Sequence, residues 1–131
     1  MFKRILVPSD GSEHATKAAD KAIQLAKILD AEIVAVHVID EKLIQPFEVL
    51  EEEGMEILHQ IQKKGESAGV EVSEVLLLGN PRHDMKKISN KTEADLIVIA
   101  SHGRTGLEKI LMGSVAENTL KTADIPVLLI K

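Results

Sequence analysis

Residues 4–39, RILVPSDGSEHATKAADKAIQLAKILDAEIVAVHVI, carry the pattern that decides the fold. Residues 4–7 form a short apolar run closed by Pro8, which has no amide hydrogen to give to a ladder, so a buried strand is predicted to stop there. Ala15, Ala18, Ala19, Ala22, Ile23, Ala26 and Leu29 then recur at helical spacing, with Lys17, Lys21 and Lys27 opposite them. That is an amphipathic helix, opened by a cap such as Ser12. Residues 32–39 (EIVAVHVI) are β-branched and almost continuously apolar, as a strand covered on both faces requires. Strand, helix, strand in this order predicts parallel pairing.

The same rhythm runs to the end of the sequence. Residues 40–53 are acidic and weakly patterned, but Phe47, Leu50, Ile57, Leu58 and Ile61 outline a second helix ending near Ala68 and Gly69. Residues 70–78 (VEVSEVLLL) read as a third strand, and Gly79-Asn80-Pro81 as the turn into a third helix with Met85 and Ile88 on its inner face. Residues 95–100 (DLIVIA) are a fourth strand, 103–112 a loop with room for a short helical turn, 114–122 a fourth helix, and 126–131 a fifth strand. The expectation is one α/β domain over residues 1–131, a five-stranded parallel sheet with helices on both faces and right-handed crossovers. Ligands of such sheets bind beyond the carboxyl ends of the strands, where the strand order reverses. The loops after strands one, two and four are therefore the ones to inspect.

Composition narrows the function classes. The 131 residues are 44% hydrophobic and 28% charged, the balance of a globular domain, and folding at this length buries roughly two-thirds of the unfolded surface. With no cysteine there is no disulfide, no thiolate metal site and no cysteine nucleophile. The apolar stretch near the N-terminus is too short for a signal-peptide core or a membrane span, which makes the cytoplasm the expected location and membrane association unexpected. A net charge of −5 with dispersed lysines repels a polyanion, and 2% aromatics leave no stacking platform, so nucleic acid is not an expected partner.

The densest chemistry follows strand four, where Ser101-His102-Gly103-Arg104-Thr105-Gly106-Leu107 leads through residues 108–112 to Gly113-Ser114-Val115-Ala116-Glu117. Glycine lets backbone amides approach a phosphate, and a helix opening at Gly113-Ser114 offers unpaired N–H groups and partial positive charge to an anion. The same residues have a purely structural reading: glycines mark ordinary turns, and Ser114-x-x-Glu117 is a capping box. His14, His37, His59, His83 and His102 show no metal-ligand spacing, so no metal site is expected. For His102 a solvated loop residue is the first reading and ligand contact the second. Arg104 suits either a phosphate cation or an exposed one. Asp10, directly after a strand, fits a turn or cap residue.

Three stretches together resemble the universal stress protein family from end to end. Residues 101–106 with 113–118 and 125–130 are similar to its C-terminal signature, residues 5–12 to its opening strand and loop, and Val36-His37-Val38-Ile39-Asp40 to its second strand. The resemblance implies a Rossmann-like adenine-nucleotide fold with strand order 3-2-1-4-5. The signature of the family's ATP-binding branch is Gly, two residues, Gly, nine residues, Gly, then Ser or Thr. Here Ala100 stands in the first place, followed by Gly103, Gly113 and Ser114. An alanine keeps its backbone N–H and adds one methyl.

By position, the resemblance implies that Asp10 and the Val38 backbone hold adenosine and that Gly103, Gly113, Ser114 and Val115 hold the phosphates of ATP, alone or with magnesium. Pro8, Ser9, Ala100, Arg104 and Gly106 complete the expected site. It also implies a homodimer through the last strand, Val127 to Ile130, whose apolar run is expected at a sheet edge. The function expected is an ATP-binding stress sensor or regulator. A P-loop (GxxxxGK[ST]) and a first-strand GxGxxG are both missing, and a receiver domain would need adjacent acids where Asp10 precedes Gly11. The competing reading is a dimeric scaffold of the same fold that binds no nucleotide and acts through protein partners, favoured by Ala100 alone. No catalytic residue is assigned, because only His102 or Asp10 could serve as a base, so at most slow hydrolysis is expected and not an enzyme.

Overall fold

The computed structural model describes residues 1–102 and 112–131. Its elements are β1 (Arg4–Pro8), α1 (Glu13–Leu29), β2 (Glu32–Asp40), α2 (Phe47–Ala68), β3 (Val72–Gly79), α3 (Met85–Thr92), β4 (Leu96–Ala100), α4 (Ser114–Thr122) and β5 (Val127–Ile130). All pairings are parallel and the order is β3-β2-β1-β4-β5, as the resemblance implied. Alternation along the strands sorts the core onto two faces. Ile5, Val7, Ile33, Ala35 and Val98 pack with Ala19, Ala22 and Ala26 of α1 and Leu58 and Ile61 of α2. Leu6, Val34, Val36, Ile97 and Ile99 pack with Met85 and Ile88 of α3 on the other side. The alanine face of α1 is what lets that helix lie close against the central strands.

The caps follow local chemistry. Ser12 accepts from the Ala15 amide at 3.1 Å and opens α1, as predicted. Gly69, at φ 76°, ends α2 in the left-handed conformation, and the Val70 amide closes back onto the Gly65 carbonyl at 2.8 Å. This bond corrects the predicted start of the third strand, because Val70 belongs to the helix cap and pairing begins at Val72. Pro8 is the last residue of β1, as predicted, and the ladder to β4 stops at Leu6↔Ile97; on the β2 side Pro8 still pairs with Val36, and the Ser9 amide donates to the Val36 carbonyl at 2.9 Å. A missing amide hydrogen removes one bond and leaves the next residue able to donate.

At the amino ends of the strands, the Asp95 carboxylate accepts from the Lys3 and Arg4 amides at 2.7 and 3.0 Å. Arg4 also pairs with Glu32 and donates to the Thr92 carbonyl at 2.9 Å. The hydrogen bond to Glu32 raises the pKa of the Arg4 guanidinium above its ordinary value. Beyond the central strands, the edges are half-covered: Leu78 on β3 is 60% exposed and Leu128 on β5 is 42% exposed. Among the described residues no helix is long and apolar enough to cross a membrane.

Candidate functional site

Strand order reverses at β1, whose neighbours β2 and β4 lead the chain away in opposite directions. At that point the carboxyl ends of β1, β2 and β4 open onto a cavity of about 470 Å³, within the usual size of small-molecule sites. Pro8, Ser9, Asp10, Val38, Ala100, Gly113, Ser114 and Val115 all line it. The remaining predicted site residues, Gly103, Arg104 and Gly106, lie outside the described residues.

The loop after β1 is wound by its own side chains. The Gly11 amide donates to Ser9 Oγ at 3.2 Å, the Ser12 amide donates to Asp10 Oδ1 at 2.9 Å, and Gly11 takes φ 81°. Only a residue without Cβ accepts that backbone readily. Asp10 is therefore the turn residue that one of its two readings expected, and it also lines the cavity. A carboxylate accepts several hydrogen bonds, so the turn does not exhaust the acceptors of the group.

On β2 the main chain matters more than the side chain. Each residue of a parallel strand turns its N–H and C=O towards one neighbour, and the next residue turns them towards the other. The Val36 carbonyl accepts from Ser9, so the Val38 N–H and C=O face the same side two residues further on, past the last paired residue of β1. A donor and an acceptor side by side match the edge of adenine. The Val38 side chain is buried in the α3 face of the core, so its structural reading holds as well.

The third wall is the start of α4. Ala100 ends β4 at 8% exposure, and the Gly113 amide donates to the Ser101 carbonyl at 2.7 Å, which holds the helix head against β4. The predicted capping box does not form. Gly113 is the N-cap and makes no side-chain bond, Ser114 is the first helical residue, and the Glu117 carboxylate pairs with Lys121 at 3.2 Å. Ser114 is one position too late to cap. Among the described residues the first amides of α4 thus have no side-chain partner, and they present the positive end of the helix to the cavity.

His102 corrects the first reading of it. Half-buried rather than solvated, it lines the cavity, with Nδ1 3.0 Å from Ser101 Oγ and its ring centroid 5.8 Å from that of His14. Its Nε2 is buried with no hydrogen-bond partner among the described residues. Sequence reasoning missed the wall formed by His37, Leu43, Leu50, Glu53, Arg82 and Met85. Leu50 and Met85 carried a signal only as inner-face helix positions. His37, Glu53 and Arg82 carried none, because their place depends on how α2 and α3 lie over the strand ends.

The chain matches the model of the universal stress protein family over residues 1–131. It is 40% identical to universal stress protein MJ0531 of Methanocaldococcus jannaschii, covering 100% of this chain and 83% of that one. Among solved structures, protein MJ0577 superposes with a TM-score of 0.90 at 35% identity, covering 100% of this chain and 96% of that chain. MJ0577 is likewise a universal stress protein of Methanocaldococcus jannaschii. The universal stress protein from Archaeoglobus fulgidus, solved in complex with dAMP, superposes with a TM-score of 0.79 at 23% identity, covering 100% and 98% of the two chains.

Proposed function

This chain belongs to the universal stress protein family, and we propose that it binds an adenine nucleotide, ATP in the first place, alone or with magnesium, as a sensor or regulator. The observation that carries the reading is the meeting, in one cavity of about 470 Å³, of three complementary features. They are the unpaired strand-end backbone of Val38, the Asp10 carboxylate, and the uncapped head of α4 at Gly113 and Ser114. Adenine would lie on the Val38 side between the aliphatic side chains of Leu50 and Met85. Ribose hydroxyls would donate to Asp10, and the phosphates would receive the amides of α4. Arg82 and His102, both on the cavity wall, are cationic or protonatable groups suited to phosphate charge. The dAMP complex of the Archaeoglobus fulgidus protein is in keeping with a nucleotide in this fold.

The role is one of holding rather than converting: the Ser101 Oγ–His102 Nδ1 contact at 3.0 Å joins adjacent residues, and among the described residues no third group orients the imidazole through its Nε2. The cytoplasm is the compartment that suits an ATP-dependent regulator without cysteines. A homodimer through β5 accompanies the proposal. The Ile97 amide bonds the Pro126 carbonyl and the Ser101 amide bonds the Ile130 carbonyl, so the alternating Val127 and Leu129 amides face the open edge. The second reading, a scaffold without nucleotide, keeps one observation: Ala100 lines the cavity in the place of a motif glycine. Isothermal titration with Mg-ATP decides between them. Heat and a raised melting temperature are expected; neither, at millimolar ligand, would overturn nucleotide binding.

A further inference from the structure

We propose that His37 is a positioning residue of this site, which keeps the Val38 main chain open for a ligand by occupying the carbonyl that would otherwise take the Val38 amide. The use of that opening by adenine rests on the function proposed above. β1 and β2 pair in register from Arg4↔Glu32 to Pro8↔Val36, and the Ser9 amide continues the ladder onto the Val36 carbonyl at 2.9 Å. The next bond of a regular parallel ladder runs from the Val38 amide to the Ser9 carbonyl. At that oxygen stands instead the imidazole of His37, with Nδ1 at 2.8 Å. A carbonyl only accepts, so Nδ1 carries the proton and donates.

The ring is held from its other side by α2. His37 lies on the same sheet face as Ile33 and Ala35, and a Cβ placed on Gly54 would come within 2.7 Å of His37 Cδ2 and of Leu76 Cδ1. A glycine in the middle of a helix costs stability, and here its lack of a side chain lets the helix close over the imidazole. Helix, ring and carbonyl thus form one stack that ends the β1–β2 ladder a residue early. A donor that merely satisfied a buried carbonyl would leave the Val38 amide indifferent to its loss. A donor that competes with that amide would not.

Two substitutions separate these roles. His37→Asn keeps an N–H at the position of Nδ1, whereas His37→Leu fills similar space without a donor. Mg-ATP affinity is expected within about threefold of wild type for His37→Asn and at least tenfold weaker for His37→Leu. Amide hydrogen exchange without nucleotide is expected to show Val38 fast in wild type and in His37→Asn, and slowed in His37→Leu as the ladder closes. In wild type Mg-ATP should slow it. A Val38 amide as protected in the ligand-free wild type as its neighbours in β2 would overturn the proposal, and so would His37→Leu binding with wild-type affinity. Wild type that fails to bind Mg-ATP refutes the nucleotide reading alone, since exchange in the ligand-free protein still decides what His37 does. Should His37→Leu not fold, wild-type exchange and His37→Asn affinity decide the matter.

Discussion

At the scale of single residues, the site depends on positions where a side chain is absent or takes a backbone group's place. Gly54 is the clearest case, since any Cβ there meets His37 and Leu76. Gly54→Ala gains helix propensity of about 1 kcal/mol and loses more to overpacking, which costs typically about 1–3 kcal/mol. The expected outcome is a net loss of stability in denaturant melts together with weaker nucleotide binding as His37 is pushed from Ser9. Ser114 behaves differently. Because its hydroxyl caps nothing, Ser114→Ala should leave stability within about 0.5 kcal/mol of wild type. Its binding should nevertheless fall by about 1 kcal/mol, a five- to tenfold change in titration. A melting temperature lowered as much as by a true cap deletion would show that Ser114 caps the helix in solution.

At the scale of elements, two helices whose N-termini face the cavity region, α1 and α4, are built in opposite ways. α1 opens on Ser12, whose Oγ accepts from Ala15, so its head is already satisfied. Ser12→Ala should cost about 1 kcal/mol and lower the melting temperature by a few degrees, with little change in affinity. α4 opens on Gly113 with no side-chain cap, and Gly113 has φ −62° and ψ 154°, a backbone that any residue adopts. Gly113→Val is therefore compatible with folding, and its bulk would stand where phosphate must approach the first amides of α4. Loss of Mg-ATP binding with a near-normal melt is expected; unaltered affinity would mean that the phosphates sit elsewhere.

At the scale of the whole molecule, ligand and assembly act through mass action and through the sheet edge. Nucleotide at a hundred times its dissociation constant should stabilise the native state by about 2.7 kcal/mol, read as a rise of several degrees in melting temperature. The β5 edge carries outward amides at Val127 and Leu129, while Leu128 and Ile130 bond to β4. Leu129→Pro thus deletes an outward donor without touching the ladder to β4, and it should convert a β5-paired dimer to monomer in light scattering. A wild-type monomer at working concentration would exclude that interface.

Residue by residue, the chain dictated its elements through short-range physics. The alanine stripe of α1, the continuous apolar run of β2, the glycine at 69 and the cap at Ser12 act within a turn or a strand, and period and cap chemistry are readable at that range. The family likeness supplied the strand order, and with it the places of Asp10, Val38, Ala100, Gly113 and Ser114 around one cavity. Other features came from contacts between residues distant in sequence. The approach of α2 to β2 at Gly54, the capture of the Ser9 carbonyl by His37, the failure of the capping box at Ser114 and the half-burial of His102 beside His14 are of this kind. Each depends on where two elements meet in space, which no local periodicity encodes. Tertiary structure alone therefore decided which backbone groups the fold consumes and which it leaves facing the cavity.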